Sequence, residues 1–292
     1  MRNIHLRALA KINLGLDVTG RRPDGYHEVR MVMQTINLSD QIELIRTREP
    51  GIRARTNLYF LPVDARNLAY RAADLMIREY GIKEGVHINA RKNIPVAAGL
   101  AGGSADAAAA LFGMNRLFGL GASMDELARI GLKLGADVPF CVYRGTMLAE
   151  GIGEELSALP SMPKCFILLA KPSFSVSTKT VYERFDKLGD TKPIDIDGVI
   201  EALGERNLDK LTRSVGNALE YVTATEYPVI TDIKTIMLKA GAIGALMSGS
   251  GPTVFGIFRE RSAAAGAERA IRGAKLAKQI YITTPYNTKH GS

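Results

Sequence analysis

The chain has 292 residues, of which 46% are hydrophobic and 23% charged, a balance too apolar for an intrinsically disordered chain and a length that suits two domains or one large one. Lys and Arg number 38 against 30 Asp and Glu, a formal charge of +8 with a pI of about 9.4, which favours anionic partners without separating nucleic acid, acidic lipid and a polyphosphate small molecule. Cys141 and Cys165 are too few and too far apart for a disulfide framework or a paired-cysteine metal site, charges within the first eleven residues leave no apolar stretch for an export signal, and no apolar run reaches the roughly 18 residues of a spanning helix, so a cytoplasmic protein without membrane association is expected.

In chain order, residues 5–18 alternate as on a strand, with Lys11, Asn13 and Gly15 on one side and Ile12, Leu14 and Leu16 on the other. A turn at 21–25 follows, and apolar segments at 29–36 and 41–45, split by the polar residues 37–40, predict a hairpin. Residues 68–80 carry apolar side chains at helical spacing and stop at Gly81. A strand at 86–90, a Gly/Ala-rich loop at 93–103 and a helix at 104–117 come next, then a helix at 124–134 capped by Ser123 and a strand near 140–143. The segment 159–163, with two prolines before an apolar strand at 165–170, is the expected domain boundary, dividing the chain into 1–160 and 161–292.

The strongest local signal is the run from Pro95 to Asp106, PVAAGLAGGSAD. Glycines let a backbone approach a phosphate, and the start of the following helix offers free N–H groups and a positive dipole end. A tight turn that lets a small-residue helix pack closely explains the same composition equally well. The run matches neither the Walker A pattern nor the dinucleotide Gly-x-Gly-x-x-Gly spacing. A second glycine segment, 247–255, reads by itself as a turn. Lys11 on a strand and Asp137 in GADVP read singly as surface charges, and together as an ammonium and a carboxylate able to serve a phosphoryl acceptor.

Taken in order and at these separations, AKINL at 10–14, PDGYH at 23–27, the 95–106 loop, GADVP at 135–139 and the 247–255 segment resemble the superfamily of galactokinase, homoserine kinase, mevalonate kinase and phosphomevalonate kinase. Lys-Ile-Asn combined with Pro-Asp-Gly-Tyr-His points to its cytidine-substrate branch. The resemblance implies an α+β fold of two domains: an N-terminal, ATP-binding domain like ribosomal protein S5, and a C-terminal ferredoxin-like domain that contributes to substrate binding, with the active site between them. It implies transfer of the γ-phosphoryl group of ATP, with Mg²⁺, to the 2-hydroxyl of a cytidyl diphosphate methylerythritol in non-mevalonate isoprenoid synthesis.

Carried over motif by motif, Lys11 and Asp137 are the catalytic pair. Pro95, Val96, Ala97, Ala98, Gly99, Leu100, Ala101, Gly102, Gly103, Ser104 and Ala105 form the ATP phosphate loop, with Asn67 and Lys92 as neighbours of the nucleotide. Asn13 faces the erythritol group, and Tyr26, His27 and Tyr182 hold the cytosine. No metal ligands are assigned. Where many relatives have glycine or serine this chain has Ala97, Ala98, Ala101 and Ala105, so those positions are not expected to demand a conformation open only to glycine. Ser104 is open to two readings, a contact to phosphate or magnesium and a plain helix N-cap. A kinase for another small alcohol lacks a use for Tyr26-His27. A nucleic-acid binder would suit the charge, but the basic residues are spread along the chain without interleaved aromatics, so a small-molecule substrate is the expected partner, with neither nucleic acid nor membrane.

Overall fold

The computed structural model describes residues 2–189 and 191–288. In chain order its elements are β1 (Asn3–Arg21), β2 (His27–Thr47), β3 (Ile52–Thr56), α1 (Leu68–Tyr80), β4 (Gly85–Arg91), α2 (Gly102–Phe118), α3 (Met124–Leu132), α4 (Asp137–Tyr143), β5 (Thr146–Glu150), β6 (Glu155–Ala158) and β7 (Phe166–Lys171). The remainder comprises α5 (Thr178–Phe185), α6 (Ile196–Gly204), α7 (Leu208–Ser214), β8 (Gly216–Asn217), α8 (Glu220–Glu226), α9 (Val229–Lys239), β9 (Gly244–Met247), β10 (Val254–Phe258), α10 (Arg261–Gly273) and β11 (Gln279–Thr283). They gather into two compact units, neither of them contiguous in sequence: one takes residues up to 10, 38–94 and 101–143, the other 11–37, 95–100 and those from 144 onward.

In the first unit β3 lies parallel to β4, and β4 pairs antiparallel with the second half of β2, Gln41 opposite Arg91 and Thr47 opposite Gly85. Helices α1 and α2 pack on each other through alanines, Ala69, Ala72 and Ala73 on one and Ala107 to Ala110 on the other, all buried. Small side chains let the two axes approach closely. Asn67 caps α1, Gly81 ends it with φ 60°, and Ser123 with Glu126 forms a capping box on α3.

The second unit contains a four-stranded antiparallel sheet ordered β11-β7-β10-β9. Numbered within that sheet, the strands run fourth, first, third, second, with helical crossovers after the first and third, the β-α-β-β-α-β ferredoxin-like arrangement. Its core is Ile167 to Ala170 of β7 and Val254 to Phe258 of β10, all fully or almost fully buried. The same unit holds β5, paired with the first half of β2 and with β6, and β8, parallel to β1 with Gly15 opposite Gly216.

Three local expectations are corrected. The expected hairpin at 29–45 is one unbroken strand, because the polar residues that were to break it have dedicated partners: Asn37 donates to Thr284 Oγ1 and the Pro285 carbonyl, and Asp40 is an internal ion-pair member. The apolar run at 140–143 belongs to helix α4 rather than a strand, its buried residues 138–142 forming one side of a cluster with α2 and α3. A short apolar run has no period of its own, and Pro139 sits in the first helical turn, where no N–H is needed. Finally, α2 starts at Gly102 with Ala101 at its N-cap, so Ser104 is inside the first turn and does not cap.

Candidate active site

In the second unit, strand β1 places Lys11 and Asn13 on one face, as their spacing predicts. The Lys11 ammonium donates to Asn13 Oδ1 at 2.6 Å, and the Lys11 amide donates to the Leu100 carbonyl of the glycine loop at 3.1 Å. Lys11 is only 4% exposed, which removes the surface-charge reading, and among the described residues it makes no ion pair. A buried cation satisfied only by a neutral amide oxygen favours an anion brought by a ligand.

The glycine loop is held from below by the second glycine segment. Gly99 has φ +75°, and a Cβ there would stand 2.0 Å from the Ser248 carbonyl oxygen, so no other residue fits. Ser248 Oγ donates to the Gly99 carbonyl at 2.9 Å. Asn217, at the end of β8, in turn donates to the carbonyls of Met247 and Gly249, each at 2.8 Å, and accepts the Leu219 N–H. The 247–252 segment is thus a support for the loop rather than an isolated turn. Sequence reasoning missed Ser248 and Asn217, since only the pairing of β8 with β1, Asn217 opposite Leu16, explains a single Asn, and the Gly-Ser-Gly spacing around 248–251 was the one available sign. That spacing is itself plain in the sequence.

Ala97 and Ala101 adopt φ 49° and 54°. These two positions therefore use the left-handed region that glycine favours, which alanine reaches at a strain of roughly 1–2 kcal/mol each, so neither demands a conformation open only to glycine. Ala98 and Ala105 do not use that region. In the first unit, Ala101 leads into α2 without any side-chain cap, which leaves the first N–H groups of the helix, at Gly102, Gly103 and Ser104, without helical partners. A Cβ on Gly102 would meet Ile94 Cγ2 at 3.0 Å, and one on Gly103 would meet Leu68 Cδ1 at 3.3 Å, so close packing and an open anion-facing backbone coexist here. The Ser104 hydroxyl makes no hydrogen bond among the described residues.

Lys92 and Asn67 belong to this unit too. The Lys92 ammonium is buried between the Asp40 and Asp106 carboxylates and bonded to both. Burial drags its pKa down, but the two carboxylates together outweigh that and leave it raised. Burial also pushes Asp106 up, reinforced by the Asp40 charge and opposed by Lys92. Asn67 spends its Oδ1 on the Ala69 N–H and its Nδ2 on the Pro62 carbonyl, fixing the turn before α1. Asp137 opens α4, half-buried, and its carboxylate has no hydrogen-bond or ion-pair partner among the described residues. Lys11 and Asp137 fall in different units.

The second unit also brings together two of the three cytosine candidates. His27 and Tyr182 stack with ring centroids 4.6 Å apart and planes 26° apart, and His27 Nε2 lies 2.7 Å from Asp186 Oδ1. Asp186, a C-cap residue just past α5, also pairs with Arg21 at 3.3 Å. Tyr26 is 61% exposed and its ring takes no part in that stack. Among the described residues no group of three or more His, Cys, Asp or Glu could hold a metal. No helix among them is long and apolar enough to cross a membrane.

The family model for the GHMP kinases N terminal domain matches residues 67–145, and that for the GHMP kinases C terminal matches residues 199–277. A Lachnospira eligens protein named 4-diphosphocytidyl-2-C-methyl-D-erythritol kinase is 53% identical over 286 residues, covering 98% of this chain and 99% of its own. One of the same name from Geobacillus sp. is 50% identical over 285 residues, 98% of each chain. A crystal structure of 4-(cytidine 5'-diphospho)-2C-methyl-D-erythritol kinase superimposes with a TM-score of 0.83 at 31% identity over 98% of this chain and all of that one. The fold alone is shared with a homoserine kinase from Cytophaga hutchinsonii, TM-score 0.80 at 21% identity, covering all of this chain and 96% of that one. With half its residues in common with such relatives along nearly its whole length, the chain belongs to the GHMP kinases, in the family of the 4-diphosphocytidyl-2-C-methyl-D-erythritol kinases.

Proposed function

We propose that this chain transfers the γ-phosphoryl group of ATP to the 2-hydroxyl of 4-diphosphocytidyl-2-C-methyl-D-erythritol, a step of the non-mevalonate route to isoprenoid precursors, in the cytoplasm and with Mg²⁺. One observation carries the reading: relatives half identical over almost the entire chain bear that kinase's name. The geometry supports it through the buried, carboxylate-free Lys11 ammonium tied by its own amide to the glycine loop.

Residues 1–160 carry the nucleotide and 161–292 contribute to the substrate. The loop from Pro95 to Ala105 takes the phosphates on backbone N–H groups, with the Ser104 hydroxyl free to join them. Asn67 and Lys92 shape the nucleotide's surroundings from the turn before α1 and the strand end before the loop. Magnesium, when bound, neutralises phosphate charge. Asp137 accepts the proton of the attacking hydroxyl, and Lys11 stabilises the charge on the transferring group. Because phosphoryl transfer passes through a loose transition state, holding the reactants in line contributes as much as base strength. Asn13 orients the erythritol portion. The His27–Tyr182 stack and the open Tyr26 ring offer aromatic faces for the cytosine.

Steady-state kinetics with ATP on the cytidyl substrate, on 2-C-methyl-D-erythritol 4-phosphate, on homoserine and on mevalonate test this. The cytidyl substrate should turn over far faster than the others, in kcat as well as kcat/KM, because a bound base positions the distant hydroxyl. Equal handling of the truncated phosphate would overturn the assignment of cytidine recognition.

A further inference from the structure

Helix α2 begins without a capping side chain, so something else must fix its first turn. That something is Asp106, one turn in, which none of the motifs assigns a role. Its side chain is 8% exposed, that of Lys92 6% and that of Asp40 0%, and a Cβ on Gly102 would stand 3.7 Å from the Lys92 ammonium. The ion cluster therefore lies directly beneath the first residue of α2. From the other side, the stretch 92–94 is held rigidly. Asp40 Oδ1 accepts the N–H groups of Asn93 and Ile94, Asn57 Oδ1 accepts the Lys92 N–H at 2.7 Å, and Asn57 Nδ2 donates to the Lys92 carbonyl at 3.2 Å.

We propose that Asp106 is a positioning residue for the nucleotide: with Asp40 it grips the Lys92 ammonium from two sides, and so fixes the N–H groups of Gly102, Gly103 and Ser104 against the strand end that precedes the glycine loop. The proposal rests on the reading of that loop as an ATP phosphate cradle. Two buried carboxylates around one ammonium are a poor source of stability, since desolvation offsets most of their attraction. Asp106 Oδ1 is moreover buried with no hydrogen-bond partner, a cost that packing alone would avoid. What the arrangement supplies is geometry, at the place where backbone donors must be aimed within a fraction of an ångström.

The test compares wild type with Asp106→Asn, Asp106→Ala and Asp106→Leu. Calorimetric ATP affinity, KM for ATP, kcat at saturating ATP and melting temperature are measured for each. Asp106→Asn keeps an oxygen that can accept from Lys92 and should bind ATP within about threefold of wild type. Asp106→Ala should weaken ATP binding and raise its KM roughly tenfold or more while kcat at saturation changes little, since a displaced cradle loses ground-state and transition-state contacts alike. If Asp106→Ala melts below the assay temperature, Asp106→Leu decides, because it fills the vacated space and leaves the buried Lys92–Asp40 pair intact, and it should show the same loss of ATP affinity. Wild-type affinity in a folded Asp106→Ala or Asp106→Leu, or an Asp106→Asn as impaired as Asp106→Ala, would overturn the positioning role and leave the kinase reading standing. Failure of the wild type to bind ATP at all would overturn both.

Discussion

At the scale of single residues, the site separates into groups whose chemistry shows in the sequence and groups whose chemistry is created by burial. Lys11 belongs to both. Its face on β1 follows from alternation, but its burial, and hence its value to an anion, does not. Lys11→Met, which keeps the length of the side chain without the charge, should lower turnover while leaving the fold intact. Asp137→Asn should lower it by roughly 10²-fold or more, the usual loss for a general base, with the melting temperature nearly unchanged because the carboxylate holds no partner among the described residues. Normal kcat in either folded variant would remove that residue from the mechanism. Asp106 allows a pH prediction. Its folded pKa is raised above the unfolded value of 3.8, so the stability it contributes is complete below that value and is lost as pH rises through the folded one. Denaturant midpoints of wild type minus Asp106→Asn should therefore fall from acid to alkaline pH, and a difference that is flat or rises with pH contradicts the burial argument. Cys165 is the plainest case of burial overriding identity: its thiol is pushed up to about 12 by desolvation alone. In the native protein it should react with a thiol reagent only at the rate of unfolding, which a comparison of labelling with and without denaturant reads directly.

At the scale of elements, the glycine loop and α2 show how one sequence serves two demands. Ala97, Ala98, Ala101 and Ala105 are not equivalent. Ala101 sits at φ 54°, where Gly is favoured, whereas Ala105 is buried in a regular helical turn. Ala101→Gly should be neutral to stabilising by about 1 kcal/mol, relief of strain outweighing the entropy of the unfolded chain. Ala105→Gly should destabilise by about 1 kcal/mol. Two melts under identical conditions distinguish them, and equal losses would show that the loop's left-handed geometry carries no strain. Elements with a period of their own were legible in the sequence: α1 with its Gly81 stop, α3 with its Ser123 cap, and the strand containing Lys11 and Asn13. Elements decided by partners far along the chain were not. Residues 37–40 look like a turn until Thr284, Pro285 and Lys92 supply partners for Asn37 and Asp40, and residues 140–143 look like a strand until α2 and α3 cover them. The same holds for the site. The glycine loop announced itself, whereas of the residues that hold it Ser248 shows only as part of the Ser-Gly-Ser-Gly run at 248–251 and Asn217 carries no local signature.

At the scale of the whole molecule, the two compact units interleave along the chain, with β1 and β2 each contributing residues to both. This order has a consequence for how the protein is made. Gly15 on β1 finds its parallel neighbour Gly216 only about 200 residues later, and at roughly 5–20 residues per second of synthesis the first strand must wait on the order of 10–40 s for that partner to exist. Residues 38–143 supply most of the first unit before then. The emerging protein therefore presents a nearly complete helix-covered half together with a strand, the one carrying Lys11 and Asn13, that has β2 on one edge and an open edge where β8 will pair, and it is during this interval on the ribosome that this open edge invites chaperones or misassembly.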